Sequence, residues 1–243
     1  MKSSNAVLIA AMGMLCLQAV HAGPAAYVYT PTVEQGEKEI DFKFGTADSD
    51  PRKTQATIGF GYGVNTWWFT EAYVKYAQTG SGSLRYDALE LENKFQLTET
   101  GKYPVDVGFI TEIEIPRDSN EGIELKVGPL FQTEFGKLQL NGNLLLEKRF
   151  DAATASPVEA GYQWQAKYRL QPRFEYGVQG FGSLGKWNDW DAANKQSHTI
   201  GPAVFGKVAL GDHQAIKYNA AWLFGVSDGA TDNTFRLQTE VEF

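Results

Sequence analysis

Six glutamates, Glu71, Glu90, Glu92, Glu112, Glu114 and Glu124, recur at even spacing within four successive segments of a 243-residue chain. Carboxylates two residues apart share one face of an extended strand, so the six form an acidic wall wherever those segments pair. Counting back from the intervening turns puts Glu71 beside Glu90, Glu90 beside Glu112, and Glu114 beside Glu124. Like charges facing one another cost stability unless water, a counter-ion or a cation lies between them. Such a wall is a solvated surface, the cation-selecting side of a wet pore, or an oxygen-ligand site. The spacing is not that of a calcium loop, and no metal is expected. Lys126, Arg149, Lys167, Arg169, Lys207 and Lys217 hold the same parity in later segments, beside Glu147 and Glu175. Charge is therefore partly segregated by side, an arrangement that orients dipolar or charged solutes in a field. The same groups, paired across a narrow lumen, would instead close it.

Catalytic constellations are sparse. Beyond the first 22 residues the histidines are His198 and His213. Ser197 and His198 are neighbours on a predicted strand and point to opposite faces, and His213 falls in a short turn. Neither forms the nucleophile–base pair that a lipase or deacylase needs. Between residues 185 and 196, Trp187, Asn188, Asp189, Trp190 and Asp191 offer two readings. The rings and polar groups stack on a sugar face and bond its hydroxyls, or they fold the loop back on the strands. Glycines at 177, 180, 182 and 185 are followed by no helix, so they are not a phosphate loop. No cofactor is implied. A net charge of −7 with no basic run excludes nucleic acid as a partner.

The elements that position these groups begin after a leader. Residues 1–22 read as a secretory signal peptide: Lys2, an apolar run over residues 6–17, and Val20-His21-Ala22 as a small-residue cleavage site before Gly23. The run is too short to cross a bilayer as a helix. Cleavage removes Cys16, the only cysteine, so disulfides and thiol chemistry are absent from the expected mature chain. Residues 23–36 form a periplasmic lead-in that either lies free or folds into the lumen as a plug.

From residue 37 to 243 apolar and polar residues alternate with a period of two, as strands on a half-buried sheet do. The segments are residues 37–45, 55–62, 67–76, 87–97, 105–115, 122–135, 138–150, 160–170, 174–184, 198–210, 216–226 and 234–243. Short turns alternate with longer polar loops. On one parity nearly every residue is uncharged, the exception being Lys148 near a strand end, where a long side chain reaches a polar interface. That face carries aromatics at strand ends, including Tyr62, Trp68, Tyr76, Phe135, Phe150, Tyr168, Phe174 and Tyr218. The opposite parity carries the charges. A soluble sandwich turns its apolar face inward, whereas a membrane barrel turns it to lipid and lines its lumen with polar groups. Strand length, even strand number, alternating loops and interfacial aromatics favour an all-β, antiparallel transmembrane barrel of about 12 strands. Gly128-Pro129 and Gly201-Pro202 lie mid-segment and suggest bulges, because proline cannot donate to a ladder.

The closing stretch, Phe235-Arg-Leu-Gln-Thr-Glu-Val-Glu-Phe243, resembles the last strand of Gram-negative outer-membrane β-barrel proteins, a porin-like class. The resemblance implies residence in the outer-membrane lipid and insertion by the barrel-assembly machinery, with Phe243 as the assembly signal. The leading expectation is passive diffusion of small hydrophilic solutes. The alternatives are a non-conducting barrel acting through its outer loops in adhesion, and an outer-membrane enzyme.

Overall fold

The structure is a computed structural model that describes residues 23–49, 51–211 and 214–243. The leader of residues 1–22 and His213 lie outside the described residues. Twelve long strands form one closed antiparallel ring. They are β1 (Lys38–Ala47), β2 (Lys53–Gly63), β3 (Trp68–Thr79), β4 (Arg85–Gln96), β5 (Asp106–Pro116), β6 (Ile123–Phe135), β7 (Leu138–Phe150), β8 (Glu159–Gln171), β9 (Phe174–Lys186), β11 (Ser197–Ala209), β12 (Ala215–Gly225) and β13 (Asn233–Glu242). A two-residue strand, β10 (Asp189–Trp190), extends β9 in the loop that follows it. Neighbours in sequence pair throughout the ring, and β1 pairs with β13 to close it, from Glu39↔Glu242 to Ala47↔Thr234. Closure leaves no sheet edge, as backbone in hydrocarbon requires.

The alternation decides which way each strand faces. In β1, Glu39, Asp41 and Lys43 point inward and are buried, whereas Ile40 and Phe42 point outward and are more than 40% exposed. The same inversion recurs around the ring: Ile58, Phe60, Leu89, Leu91, Ile113 and Leu144 are exposed on the outside. Glu71, Glu90, Glu92, Glu112 and Glu124 are buried inside. Burying carboxylates while exposing leucines costs free energy in water and gains it in lipid. Aromatic clusters mark both ends of the outer face. Trp67, Trp68 and Phe95 stack near the end bearing the short turns, with Tyr168, Phe174 and Tyr176. Trp222 and Phe235 meet toward the loop end.

Strand boundaries agree with the sequence expectation to within about three residues, and β7 coincides with its predicted segment. At Gly128-Pro129 and Gly201-Pro202, the sites of the expected bulges, the register is the same on both sides, although neither pair is laddered to the next strand. The prolines sit on the lipid-facing side, and the glycine before each admits a carbonyl of the next strand: a Cβ on Gly128 would collide with Leu144 O, and one on Gly201 with Trp222 O. The register shifts lie instead at Lys75/Tyr76 in β3 and at both ends of the β8–β9 pairing.

Residues 23–33 lie inside the barrel, and residues 34–36 are exposed at the turn mouth. Of the two placements open to the lead-in, the folded chain takes the lumen. The carbonyl of Pro24 sits against Gly45 at the loop end of β1, and the carbonyl of Glu34 against Gly63 at the turn end of β2. The segment therefore runs the length of the lumen from the loop mouth to the turn mouth. It then reverses at Gly36, whose φ of 80° is the left-handed turn that glycine accepts, into β1. Fully extended, such a stretch reaches about 45 Å, enough to cross a barrel built from strands of 10 to 13 residues.

Candidate functional site

The lumen has two walls and a strap. The charged wall comes from β1 and β3 to β7, and its register differs from the count made from turns. Glu71 pairs with Glu92, not Glu90. Glu90 pairs with Glu114 and Glu92 with Glu112. Glu114 does lie opposite Glu124, as expected. The connection between β4 and β5 runs from residue 97 to 105 before pairing resumes, longer than a tight turn, and that slack moves the partner by one pair.

Cations interleave with this wall. Lys75 Nζ is 2.7 Å from Glu90 Oε2 and also contacts Glu114. Lys126 Nζ lies 2.8 Å from Glu112 Oε1 and 3.3 Å from Glu147 Oε1. Arg149 Nε donates to Glu124 Oε2 at 2.9 Å. Glu90, Glu112 and Glu114 cluster closely enough to share a cation, and the Lys75 ammonium already lies against two of them. Nearer the turn end, Lys167 meets Glu175 at 3.1 Å, Arg169 meets Glu134, and Lys207 meets Glu242 at 2.6 Å. Lys217 joins Glu37, Glu240 and Glu242. The side chains of Glu71, Glu92, Lys167, Arg169, Lys207 and Lys217 border the cavity toward the turn end, and those of Glu90, Glu112, Glu114, Glu124, Lys126 and Arg149 the cavity on the loop side. Most of their charges are compensated locally, which holds the lumen in one geometry and lowers the field that unpaired groups would produce.

The second wall runs across β6 to β9, where, between the charged ends of these strands, the lumen face is a neutral band. Gln139 Nε2 donates to Gln132 Oε1 and to Asn141 Oδ1, each at 3.0 Å. Gln165 donates to Asn141 at 2.9 Å, and Gln179 to Gln165 at 3.0 Å. A carboxamide can be donor and acceptor at once, so the chain of amides spans four strands without a charge.

The strap lies between the walls. Tyr27 Oη donates to Glu92 Oε2 at 2.6 Å, and Tyr29 Oη to Glu112 Oε2 at 2.7 Å. The Lys43 ammonium is held between the rings of Tyr27 and Tyr73, 3.7 and 3.6 Å from their centroids, with Asp41 at 3.1 Å. Val28 packs on Phe181, Phe205 and Leu223, and Tyr29 on Ile110, Leu130 and Leu145. Cavities flank it. One of about 960 Å³ opens toward the turn end and one of about 450 Å³ lies on the loop side, and Tyr27 and Tyr29 line both. A third, of about 490 Å³, surrounds Gly23 and Pro24 at the loop mouth.

Sequence reasoning missed Tyr27, Tyr29, Tyr73, Lys43, Lys75 and Arg236. A signal was present: Ile110, Leu130, Leu145, Phe181, Phe205 and Leu223 occupy lumen parity, where a water-filled pore has no use for them. Trp187 and Trp190 stand exposed around the small ribbon at the loop end, and Asp189 pairs with Lys186 in its ladder. They line none of the three cavities. His198 takes the lipid-facing parity near the loop end, where Tyr162 Oη lies 2.9 Å from Nδ1 and Gln196 Oε1 lies 3.0 Å from Nε2. Both ring nitrogens are occupied and neither meets a nucleophile. Phe243 is outward-facing, and its N–H donates to Lys38 O at 2.9 Å across the closure.

Gly45 gives a direct test of the strap. A side chain there would strike the Pro24 carbonyl, so Gly45→Val should weaken strap docking by about 1–3 kcal/mol, the usual cost of overpacking. Faster amide exchange at Tyr29 and Val33, whose N–H groups donate to Gln163 and Gln96, is the expected reading, with strand amides unchanged.

An apolar exterior between aromatic rings, a charged interior and a closed ladder define an antiparallel β-barrel of the membrane-spanning class. The fold matches the COG4313 outer membrane channel from Pseudomonas putida F1 with a TM-score of 0.59, at 13% identity over 92% of this chain and 100% of that one. It also matches the KdgM porin in complex with disordered oligogalacturonate, with a TM-score of 0.55 at 9% identity over 84% of this chain and 98% of that one. No protein-family model matches the chain, and no curated protein matches it in sequence.

Proposed function

We propose that this protein is an outer-membrane channel through which small hydrophilic solutes diffuse, with its turn end and both ends of the barrel sheet on the periplasmic side. The observation that carries this reading is the inversion of the fold: a buried, charged lumen with cavities toward both mouths, enclosed by exposed aliphatic side chains. The similarity to two outer-membrane channels supports it at the level of fold. The sequence of residues 1–22 supports export through a cleaved signal, and the outward Phe243 on the closing strand supports delivery to the barrel-assembly machinery.

Acidic groups outnumber basic ones along the lumen, so monovalent cations should pass more readily than anions. Single-channel recording of refolded protein in a planar bilayer, with heat-modifiable gel migration as proof of folding, should give discrete steps and a cation-directed reversal potential in a salt gradient. Silence from a folded barrel, both in the complete chain and in one whose strap is weakened, overturns the channel. The strap and the paired charges favour a second reading, in which the barrel stays closed and acts through its loops, and that silence is what it requires.

A further inference from the structure

We infer that the lumen is a binding site for a polypeptide segment that is uncharged where it is buried, occupied in this structure by the chain's own residues 24–33, and that this occupancy sets whether the channel is open. The inference rests on the channel reading for its consequence, although the binding site itself does not.

Three features of the lumen fit an extended backbone and serve no purpose in an empty pore. The first is a track of glycines along the strap's path. Gly45 faces the carbonyl of Pro24, Gly108 faces the ring of Pro31, and Gly63 faces the carbonyl of Glu34; a Cβ at Gly108 would come within 2.8 Å of Pro31 Cβ, and at the other two it would meet backbone. Close approach of a main chain is what a missing Cβ permits. The second is recognition of the backbone by lumen side chains. Gln163 Oε1 accepts from Tyr29 N at 3.3 Å, Asn143 Nδ2 donates to Tyr29 O at 3.0 Å, Gln96 Oε1 accepts from Val33 N at 2.7 Å, and Arg236 donates to Ala26 O. These bonds satisfy backbone that belongs to no ladder, and they do not depend on its sequence. The third is the pair of apolar pockets for Val28 and Tyr29, whose lining residues are almost wholly buried.

Sequence preference comes from the two tyrosines. Their hydroxyls reach carboxylates on adjacent strands, Glu92 on β4 and Glu112 on β5, and the rings meet edge to face at 4.8 Å. The ligand class is thus an extended peptide with aromatic hydroxyls two residues apart and no charge between them. Glu34 is the only charged side chain in residues 23–36, and it lies at the turn mouth.

The geometry also defines how the site empties. The strap is joined to β1 only through residues 35–37. Gly36 N–H donates to Gly63 O at 2.8 Å and Gly63 N–H to Glu37 O at 2.9 Å, so this joint stays fixed to β2 as the pivot while the rest of the strap leaves. The far end consists of Gly23, Pro24, Ala25 and Ala26, slender residues that can follow through the lumen toward the turn mouth.

The test uses the complete chain carrying Tyr27→Ala and Tyr29→Ala, so that its own strap binds weakly, and a fluorescent synthetic peptide of residues 23–36. Anisotropy should show the peptide binding the refolded variant, and a peptide with both tyrosines replaced by alanine binding about 100-fold more weakly, since it loses two buried rings and two charge-assisted bonds. In the bilayer, the variant should open more often than the unaltered chain, and the tyrosine peptide should block it. Equal binding of the two peptides, or of neither, overturns the inference whatever the conductance. Selective binding with no current from any variant leaves the site standing and removes the channel reading instead. Tyr27→Phe with Tyr29→Phe keeps the rings and gives an intermediate result, which guards against misfolding of the alanine variant.

Discussion

Leu91→Arg should destabilise the barrel in a bilayer by about 2–4 kcal/mol, the cost of an arginine at the midplane of a transmembrane strand. Leu91 lies at the middle of β4, between Ala72 of β3 and Ile113 of β5, and points outward with 45% of its surface exposed. In water an arginine there would be harmless, because surface substitutions cost within about 0.5 kcal/mol. Leu97→Arg, just past the end of the same strand and 63% exposed, is the matched control and should cost about 0–1 kcal/mol near the interface. Urea titration of both variants refolded into lipid vesicles measures the difference. Equal, small effects at the two positions would mean that the apolar face is not in hydrocarbon.

Glu90→Gln together with Glu112→Gln should move ion selectivity toward anions. Both carboxylates are buried in the charged wall, and the double change removes two negative charges while keeping carbonyl oxygens at the same places. Tyr29 retains an acceptor. Lys75 keeps Glu114 and Lys126 keeps Glu147, so neither ammonium is stranded, and the barrel should still migrate as a folded species. One unit charge at 4 Å is worth about 1 kcal/mol even in bulk water, so the ratio of cation to anion permeability should fall about fivefold or more. An unchanged reversal potential in a salt gradient would show that permeating ions do not pass this wall.

The expected pairing of Glu90 with Glu112 shows where one-dimensional reasoning stopped. Parity survived, since a strand residue faces one side or the other and the turn cannot alter which. The partner shifted by one pair because the connection of residues 97–105 has slack, and a shift of two residues keeps every side chain on its face. Thus the wall was legible and its pairings were not. The interleaved cations follow the same logic: Lys43 and Lys75 have lumen parity in the sequence, but only the register puts Lys75 between Glu90 and Glu114, or Lys43 between two tyrosine rings.

Alternation from residue 37 onward by itself determined a barrel, its inside and outside, its strand number and the end that carries the loops, because each of these depends on local spacing. The path of residues 23–36 was decided by tertiary structure alone. A segment without ladder partners has no periodic signature, and its place depends on glycines 45, 63 and 108, two apolar pockets and two carboxylates brought together from strands far apart in the chain. Those contacts exist only once the ring has closed.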